Sequence, residues 1–292
     1  MIEQFIGTGV ALITPFNDDL SIDHKTLSEL VEFNISNKIE YLVISGTTGE
    51  SVTITKEEKK AIIKTVLETN RNRVPVVLGI GGNNTQALLN EISDTDFTGI
   101  DAILSVSPYY SKPTQEGIYQ HFKAISAASP LPIILYNVPG RTSSNMLPET
   151  IVRLAKDFDN IIAVKEAGNN VAQYLRLLKQ KPDNFLVLSG DDDLALGITL
   201  AGGSGVISVI GQAFPSEFSE MIRLGLKGDA KASYEYHYRL MDITSYIFEE
   251  NNPAGIKAVL ADKGIGNGKV RLPLVPASKQ LQSKIQAFNT EF

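Results

Sequence analysis

The sequence predicts an α/β protein whose core is a (β/α)8 barrel, the TIM-barrel fold, with a C-terminal helical appendage. Between Gly7 and Gly228, eight short apolar segments rich in β-branched residues alternate with segments of helical periodicity. Near-continuous apolar segments are typical of parallel strands that are buried on both faces, and eight βα repeats are typical of this barrel. A doubly wound open sheet is the structural alternative.

Helix signals follow the predicted strands along the chain. Thr55 and Glu58 have capping-box spacing after the second strand, and Pro148 stands where proline favours the first turn of a helix. The helix after the sixth strand is expected to pack on the core through one apolar face, formed by Val171, Leu175 and Leu178. The strands are predicted at residues 7–14, 41–45, 75–80, 100–106, 132–136, 161–165, 185–189 and 205–209.

After Gly228 the strand signal stops, and the remaining residues are predicted to be helical. We therefore expect two regions, a catalytic barrel at 1–228 and a C-terminal helical domain at 229–292. No low-complexity linker separates them, so we expect the two regions to move as one body. The C-terminal helices are predicted at 230–250, 253–263 and 276–288.

Composition and charge exclude several kinds of protein and site. The 292 residues have a net charge of −6 and no basic cluster, which disfavours a nucleic-acid partner. The chain has no cysteine, and its three histidines are isolated, so no metal-ligand spacing is present. Three acids at 191–193 start a predicted helix, where capping and the helix dipole explain them better than a metal ion. No apolar stretch approaches the ~18 residues of a membrane helix, and no signal-peptide pattern is present, so we expect a cytoplasmic protein.

In such a barrel, chemistry is expected at the carboxyl ends of the strands, and Lys165 and Tyr136 end neighbouring strands. Lys165 closes an apolar segment, where loss of hydration disfavours the ammonium form. A neutral amine there is suited to forming a Schiff base with a carbonyl compound. Tyr136 could transfer protons if a partner hydroxyl were near. The alternatives are a lysine that turns to solvent or pairs with Glu166, and a tyrosine that only packs at the rim.

Other segments have the chemistry of anion binding. Thr47 and Thr48 lie in the glycine-bracketed turn 46–49, whose N–H groups and hydroxyls could hold a carboxylate or a phosphate, although a plain tight turn is equally consistent. Arg141 follows a Pro-Gly turn and offers a bidentate partner for a carboxylate, with an ordinary surface arginine as the alternative. The glycines of 202–205 lie where many barrels bind phosphate.

These segments together resemble the dihydrodipicolinate synthase family, within the pyruvate-dependent class I aldolase-like barrels. The resemblance runs from Gly7 to Pro276, and YNVPGRT with the double tyrosine points to the synthase itself. It implies an enzyme that condenses pyruvate with L-aspartate-4-semialdehyde to 4-hydroxy-tetrahydrodipicolinate, the first committed step of the diaminopimelate route to lysine, without a metal or an organic cofactor. The matching segments are GTGVALITPF, GTTGES, SPYYSKPTQEGIYQHF, YNVPGRT, AVKEAG, SGDD, GGSGVISV and RLPLVP.

The resemblance implies catalytic roles for four residues. Lys165 would form the imine with pyruvate, and Tyr136, Thr47 and Tyr110 would form a hydroxyl relay. The second tyrosine of the pair reaches the neighbouring subunit's site in this family, so Tyr110 would act across an interface. The implied assembly is a dimer of tight dimers.

The resemblance also implies binding roles. Thr48, together with Thr47, would hold the pyruvate carboxylate, and Arg141 would bind the carboxylate of the semialdehyde. Gly190 and Ile207 would line the pocket, the latter through its carbonyl group.

One departure from the family concerns regulation. Feedback-inhibited members bind lysine at the dimer interface, often with two histidines and a glutamate. Here Lys56, Lys59 and Ala87 stand at the matching positions, and two cations with a lost carboxylate disfavour binding of an ammonium. We therefore expect weak or absent inhibition by lysine. Three other residues of that site are kept, namely Ser51, Asn83 and Tyr109.

Three other functions remain open at this point. A pyruvate aldolase of the same group, such as N-acetylneuraminate lyase or a keto-deoxy sugar acid aldolase, would share the lysine, the tyrosine and the turn, but would not call for Arg141. A non-catalytic barrel that senses a small acid would need neither Lys165 nor Tyr136. A phosphate-binding barrel would use the glycines of 202–205.

Overall fold

The chain forms a closed barrel of eight parallel strands, in a computed structural model that describes residues 2–292. Neighbouring strands in the sequence pair in order, and the last strand pairs with the first. This confirms the predicted barrel and excludes the doubly wound open sheet. The strands are β1 Gly7–Ala11, β2 Tyr41–Ile44, β3 Val76–Gly79, β4 Ala102–Val106, β5 Ile133–Asn137, β6 Ile161–Glu166, β7 Leu186–Ser189 and β8 Gly205–Ser208.

Helices surround the barrel and continue to the C-terminus. The predicted capping box is confirmed, because Glu58 N donates to Thr55 Oγ1 at 3.2 Å and Thr55 N donates to Glu58 Oε2 at 2.9 Å. Pro148 is the first residue of its helix, as predicted. Within residues 2–292, no helix is both long and apolar enough to cross a membrane. The helices are α1 His24–Ser36, α2 Lys56–Asn70, α3 Thr85–Asp94, α4 Gln115–Ala128, α5 Pro139–Thr142, α6 Pro148–Asp157, α7 Val171–Gln180, α8 Asp192–Leu200, α9 Pro215–Leu226, α10 Ala230–Glu249, α11 Ala254–Asp262 and α12 Lys279–Glu291.

The face that α7 buries differs from the predicted one. Val171 and Leu175 are 46% and 48% exposed, whereas Gln173 and Tyr174 are buried. The expected apolar face was wrong for Val171 and Leu175, whereas Leu178 packs against the core as expected. The helix instead turns Gln173 toward the end of β6, where this side chain donates to the Glu166 carboxylate.

The barrel interior is filled by side chains, which form a floor beneath the mouth. Tyr41 lies fully buried inside the barrel, and a Cβ added to Gly9 would lie 2.1 Å from its ring. Tyr41 Oη donates to Val206 O at 3.2 Å across the barrel. Any ligand must therefore bind above this packed layer.

The C-terminal helices pack directly on the barrel helices. Helix α10 contacts α8 and α9, and α11 and α12 pack on each other. Helix α12 begins at Lys279, three residues after the predicted start, because the Ser278 hydroxyl caps it by accepting from Leu281 N. We propose that the boundary between the barrel and the C-terminal helical domain lies between residues 228 and 229, in the short connection between α9 and α10.

Candidate active site

A cavity of about 520 Å³ opens at the carboxyl ends of the strands. It brings together six of the eight residues to which the resemblance gives catalytic or binding roles, namely Lys165, Tyr136, Thr47, Thr48, Arg141 and Gly190. The remaining wall is formed by Ala11, Val43, Gly46, Leu104, Val138, Gly140, Ala167, Asn169, Asp191, Asp192, Asp193, Val209, Phe248, Asn251 and Asn252.

Lys165 extends into this cavity from the end of β6. Its side chain is only 5% exposed, and its Nζ lies 4.7 Å from the ring centroid of Tyr136, its register partner on β5. Among the described residues, Lys165 has no salt bridge, and Glu166 lies on the opposite face of the strand. The two structural alternatives for this lysine, exposure to solvent and pairing with Glu166, are therefore wrong.

Gly190 makes the room that the lysine occupies. A Cβ added at this position would lie 2.9 Å from Lys165 Cε and 2.6 Å from Ala167 Cβ. The backbone N–H of Gly190 also donates to Glu166 O at 2.6 Å, which fixes the loop against β6. A side chain at position 190 would displace the lysine.

The turn 46–49 presents an anion-binding surface. Thr48 is 3% exposed and its Oγ1 accepts from Asn252 Nδ2 at 3.0 Å, whereas Thr47 is exposed. Glu50 N donates to Thr47 O at 3.0 Å, which closes the turn. The backbone N–H groups of Thr47 and Thr48 donate to no acceptor within residues 2–292. Such consecutive free N–H groups are suited to binding a carboxylate.

Arg141 lies at the rim on α5, a single helical turn that follows β5. Its backbone N donates to Val138 O at 2.9 Å, and its side chain is exposed. The guanidinium forms no ion pair with any residue that the structure describes. It is therefore free to bind a carboxylate that enters the cavity.

The three consecutive acids start α8 as expected, with Asp192 and Asp193 in its first turn, but the expected capping was wrong. Asp191 stands at the N-cap of α8, but its side chain accepts from Asn169 N at 3.0 Å instead of capping the helix. Asp192 is buried and accepts from Val209 N and Ile210 N, each at 3.0 Å. Burial raises the pKa of Asp191, and it raises that of Asp192 to about 6.

No metal-binding group is found in the part of the chain that the structure describes. Three or more His, Cys, Asp or Glu side chains do not converge at any point of residues 2–292. The acids at 191–193 bind backbone N–H groups of neighbouring loops or face the cavity singly, so they do not form a cation cage.

Two residues named by the resemblance lie outside the cavity wall. Tyr110 lies in the loop between β4 and α4, is 88% exposed and has a φ of +69°. Ile207 is fully buried among the side chains that fill the barrel. Neither the Tyr136 hydroxyl nor the Thr47 hydroxyl has a hydrogen-bond partner among residues 2–292, so a relay is not assembled within one chain.

The glycines of 202–205 do not form a phosphate cradle. They lie at the start of β8 and therefore at the amino end of the barrel, away from Lys165. The N–H groups of Gly202, Gly203 and Ser204 already donate to backbone carbonyls. The alternative of a phosphate-binding barrel that uses these glycines is therefore not supported, because the fold itself uses these amides.

The C-terminal segment supplies a wall of the cavity that the sequence analysis missed. Phe248 lies in the last turn of α10, and Asn251 and Asn252 follow this helix. The only signal was a pair of asparagines between two predicted helices, since these residues have no periodicity that marks a site.

The site combines a buried lysine beside a tyrosine, free backbone N–H groups and an arginine without an ion pair, at the mouth of a parallel barrel. These features define a class of barrels that capture a carbonyl compound that carries a carboxylate. The comparisons with known proteins agree with this class. The sequence model described as "Dihydrodipicolinate synthetase family" matches residues 4–291. The chain belongs to this family.

Close relatives extend over nearly the whole chain. The 4-hydroxy-tetrahydrodipicolinate synthase of Flavobacterium psychrophilum is 52% identical over 290 residues, which cover 99% of each chain. A structure of the dihydrodipicolinate synthase of Acinetobacter baumannii, chloride inhibited and complexed with pyruvate, has a TM-score of 0.95 at 36% identity and covers 98% of each chain. A structure described as the first monomeric dihydrodipicolinate synthase variant has a TM-score of 0.96 at 37% identity and covers 99% of this chain and 97% of its own.

Proposed function

We propose that this chain condenses pyruvate with L-aspartate-4-semialdehyde to give 4-hydroxy-tetrahydrodipicolinate, with Lys165 as the residue that binds pyruvate covalently. The single observation that carries the assignment of Lys165 is its buried amine, which lies in a cavity beside Tyr136 and forms no salt bridge with the described residues. The named activity of relatives at about 50% identity, over nearly the full chain, supports the reaction.

In the first step, the Lys165 amine attacks the ketone carbon of pyruvate, and loss of water gives an imine. The turn at Thr47 and Thr48 holds the pyruvate carboxylate through its free N–H groups, which orients the ketone toward the amine. Tyr136 transfers protons to and from the carbinolamine oxygen. The protonated imine then accepts the electron pair when a proton leaves the pyruvate methyl group, so no further cofactor is required.

In the second step, the resulting enamine carbon attacks the aldehyde carbon of the semialdehyde. Arg141 at the rim binds the carboxylate of this second substrate. The amine of the second substrate then adds to the imine carbon and displaces the lysine nitrogen. This closes the ring and returns Lys165 to its free form.

The proton relay and the assembly belong to the same proposal. Tyr110 is 88% exposed and outside its own cavity, which supports a role in the site of a second copy of this chain. We propose a dimer of dimers in which Tyr110 completes the relay of Tyr136 and Thr47, and a cytoplasmic location. Gly190 shapes the pocket, whereas Ile207 lies in the packed layer beneath it.

The test of this function is reduction by borohydride in the presence of pyruvate, followed by intact mass and peptide mapping. We expect one added pyruvate unit on Lys165, and none in Lys165→Ala. A wild-type protein without an adduct would favour a non-catalytic acid-binding barrel. Turnover of both substrates is then followed by a coupled assay with a dihydrodipicolinate reductase.

The role of Arg141 separates this reaction from cleavage of sugar acids. Arg141→Ala should raise the KM for the semialdehyde far more than the KM for pyruvate, because only the second substrate meets the rim arginine. Arg176→Ala, which removes an exposed arginine outside the cavity, should leave both values unchanged. Equal losses for both substrates in Arg141→Ala would contradict the assignment.

A further inference from the structure

The strands β5 and β6 present two residue pairs at their carboxyl ends, one on each face. Tyr136 and Lys165 are register partners on the inner face, and Asn137 and Glu166 are register partners on the outer face. Successive residues of a strand point to opposite sides, so the outer pair lies directly behind the inner pair. Asn137 and Glu166 are 0% and 1% exposed.

Glu166 is held by donors from two different elements. Asn137 Nδ2 lies 3.0 Å from Glu166 Oε1 and 2.9 Å from Oε2, and Gln173 Nε2 of α7 donates to Oε2 at 3.1 Å. A Cβ added to Gly168 would lie 2.6 Å from Glu166 Oε1, so the backbone also encloses the carboxylate. No salt bridge to Glu166 is present in residues 2–292.

The same hydrogen bonds reach the segment that carries the rim arginine. Asn137 Oδ1 accepts from Met146 N at 2.9 Å, and Asn137 Nδ2 donates to Asn145 Oδ1 at 2.8 Å. These bonds tie both ends of the segment 138–146, which includes α5 and Arg141. The side chain of Asn145 in turn donates to Gln173 Oε1 at 2.8 Å.

Stability alone does not explain a carboxylate at this point. A buried acid among neutral amides costs more than an apolar side chain of similar size. The Glu166 carboxylate accepts hydrogen bonds from Asn137 of β5 and Gln173 of α7 at once, and Glu166 is the residue that follows Lys165. A shift of about 1 Å between β5 and β6 would separate the reacting groups, and misplacement on that scale costs roughly 100-fold in rate.

We propose that Glu166 is a positioning residue, which aligns Lys165 with Tyr136 and holds the Arg141 segment through Asn137. It touches no substrate and acts through its hydrogen bonds on the outer face of the sheet. The proposal rests on the proposed function and deepens it.

The test compares Glu166→Leu with Glu166→Gln. The rate of imine formation is measured at saturating pyruvate by timed borohydride trapping and intact mass, per folded molecule. Glu166→Leu removes every acceptor and should slow trapping roughly 10- to 100-fold. Glu166→Gln keeps one acceptor oxygen for Asn137 and Gln173 and should remain close to wild type. In Glu166→Leu, the KM for the semialdehyde should rise more than the KM for pyruvate. The hydrogen bonds of Glu166 reach the segment that carries Arg141 but do not reach the turn 46–49.

A matched control is provided by Glu40, a carboxylate at the opposite end of the barrel. It accepts from Thr8 N at 2.7 Å and from Arg223 Nε at 2.8 Å. Glu40→Leu should lower the thermal midpoint and leave the trapping rate unchanged. If Glu166→Leu does not fold, Glu166→Asp takes its place, since the shorter side chain withdraws the carboxylate from its donors and should also slow trapping.

The outcomes separate this proposal from the proposed function. If wild type forms no pyruvate adduct, both are overturned. If wild type forms the adduct, and Glu166→Leu or Glu166→Asp traps pyruvate at the wild-type rate with only a lower thermal midpoint, the positioning role alone is overturned. The positioning role is supported if Glu166→Leu traps pyruvate slowly while Glu166→Gln and Glu40→Leu trap it at close to the wild-type rate.

Discussion

At the scale of single residues, the environment of Glu166 shifts the pKa of its carboxyl. Burial raises the pKa of its carboxyl from 4.5 to about 7, and hydrogen bonds from Asn137 and Gln173 only partly oppose that effect. The nearby Asp191 carboxylate raises this pKa further. A raised pKa means that the folded protein binds the proton more tightly than the unfolded chain does.

We therefore predict that Glu166 reduces stability as pH rises from about 4.5 to about 7. Below this range the carboxyl is protonated in both states, and above it the full cost of a buried charge is present, on the order of 3 kcal/mol. Glu166→Gln removes this ionisation. Urea unfolding at pH 5 and pH 8 should show wild type losing stability relative to Glu166→Gln at the higher pH.

Glu58 is the control for this pH effect, because its pKa moves in the opposite direction. Its hydrogen bond with Arg271 lowers its pKa from 4.5 to about 2. Its contribution is therefore fully present above pH 4.5 and is lost as pH falls through about 2. The difference between wild type and Glu58→Gln should stay constant from pH 5 to pH 8. An equal change for both variants would contradict the assignment to Glu166.

Gly190 gives a second prediction at this scale. Gly190→Ala places a Cβ 2.9 Å from Lys165 Cε, so the lysine must turn away from Tyr136. We expect adduct formation with pyruvate to slow roughly 100-fold. Gly140→Ala is the control, because an added Cβ at that cavity residue meets nothing within 4 Å. A normal rate of trapping in Gly190→Ala would show that the lysine has another productive position.

At the scale of elements, helices α2 and α3 are joined by an ion pair. Lys59 Nζ of α2 binds Glu91 Oε1 of α3 at 2.7 Å and Gly79 O at 2.8 Å. This is one of the positions matched to the lysine-binding site of feedback-inhibited family members. The Lys59 ammonium is therefore held in place at this position by acceptors of the chain itself.

We predict weak or absent inhibition by lysine in the coupled assay. A bound lysine would meet the cations of Lys56 and Lys59, and Ala87 offers no carboxylate. Lys59→Ala removes one of these cations and should leave activity without lysine unchanged. Half-maximal inhibition of wild type at sub-millimolar lysine would refute this prediction.

The elements themselves were largely predictable from the sequence. All eight strands were located, because a strand buried on both faces requires an unbroken apolar segment. Helix starts at Thr55 and Pro148 were predicted from their capping chemistry. The face of α7 was not, because its buried positions carry Gln173 and Tyr174, which bind polar groups that only the tertiary fold brings near. Sequence periodicity records the polarity of a side chain and not the partner that it meets.

At the scale of the whole molecule, the C-terminal segment is joined to the turn 46–49. Lys257 of α11 and Glu50 form an ion pair at 2.5 Å with side chains that are 2% and 1% exposed. Lys257 Nζ also donates to Lys269 O at 2.8 Å, and Glu50 Oε2 accepts from Arg271 N at 2.9 Å. Burial lowers the pKa of Lys257 to about 8.

Removing one partner of this pair should be costly. Lys257→Met leaves the Glu50 carboxylate buried and unpaired, and we expect a loss of about 3–5 kcal/mol of unfolding free energy. The KM for pyruvate should also rise, because Glu50 ends the turn of Thr47 and Thr48. Lys284→Met, which breaks an exposed pair with Glu249, should change neither value. An unaltered unfolding free energy in Lys257→Met would show that the buried pair is dispensable.

The candidate site was predictable only where it follows the strands. Lys165, Tyr136, Thr48 and Arg141 were found because the carboxyl end of a barrel strand is a known place for chemistry. Phe248 and Asn252 reach the cavity from the far end of the chain, so the spacing of residues held no information about them. The same limit hid Glu166 as a positioning residue, since its partners Asn137 and Gln173 come from other elements.

The late origin of this wall has a consequence for synthesis on the ribosome. The strand that carries Lys165 emerges long before residues 248–252, and N-terminal regions generally fold first during translation. In a nascent chain whose barrel has closed, the Lys165 amine would thus be accessible while residues 248–252 are still inside the exit tunnel. Ribosome-bound intermediates of this protein should react with amine-directed reagents that are too large to enter the cavity of the finished molecule.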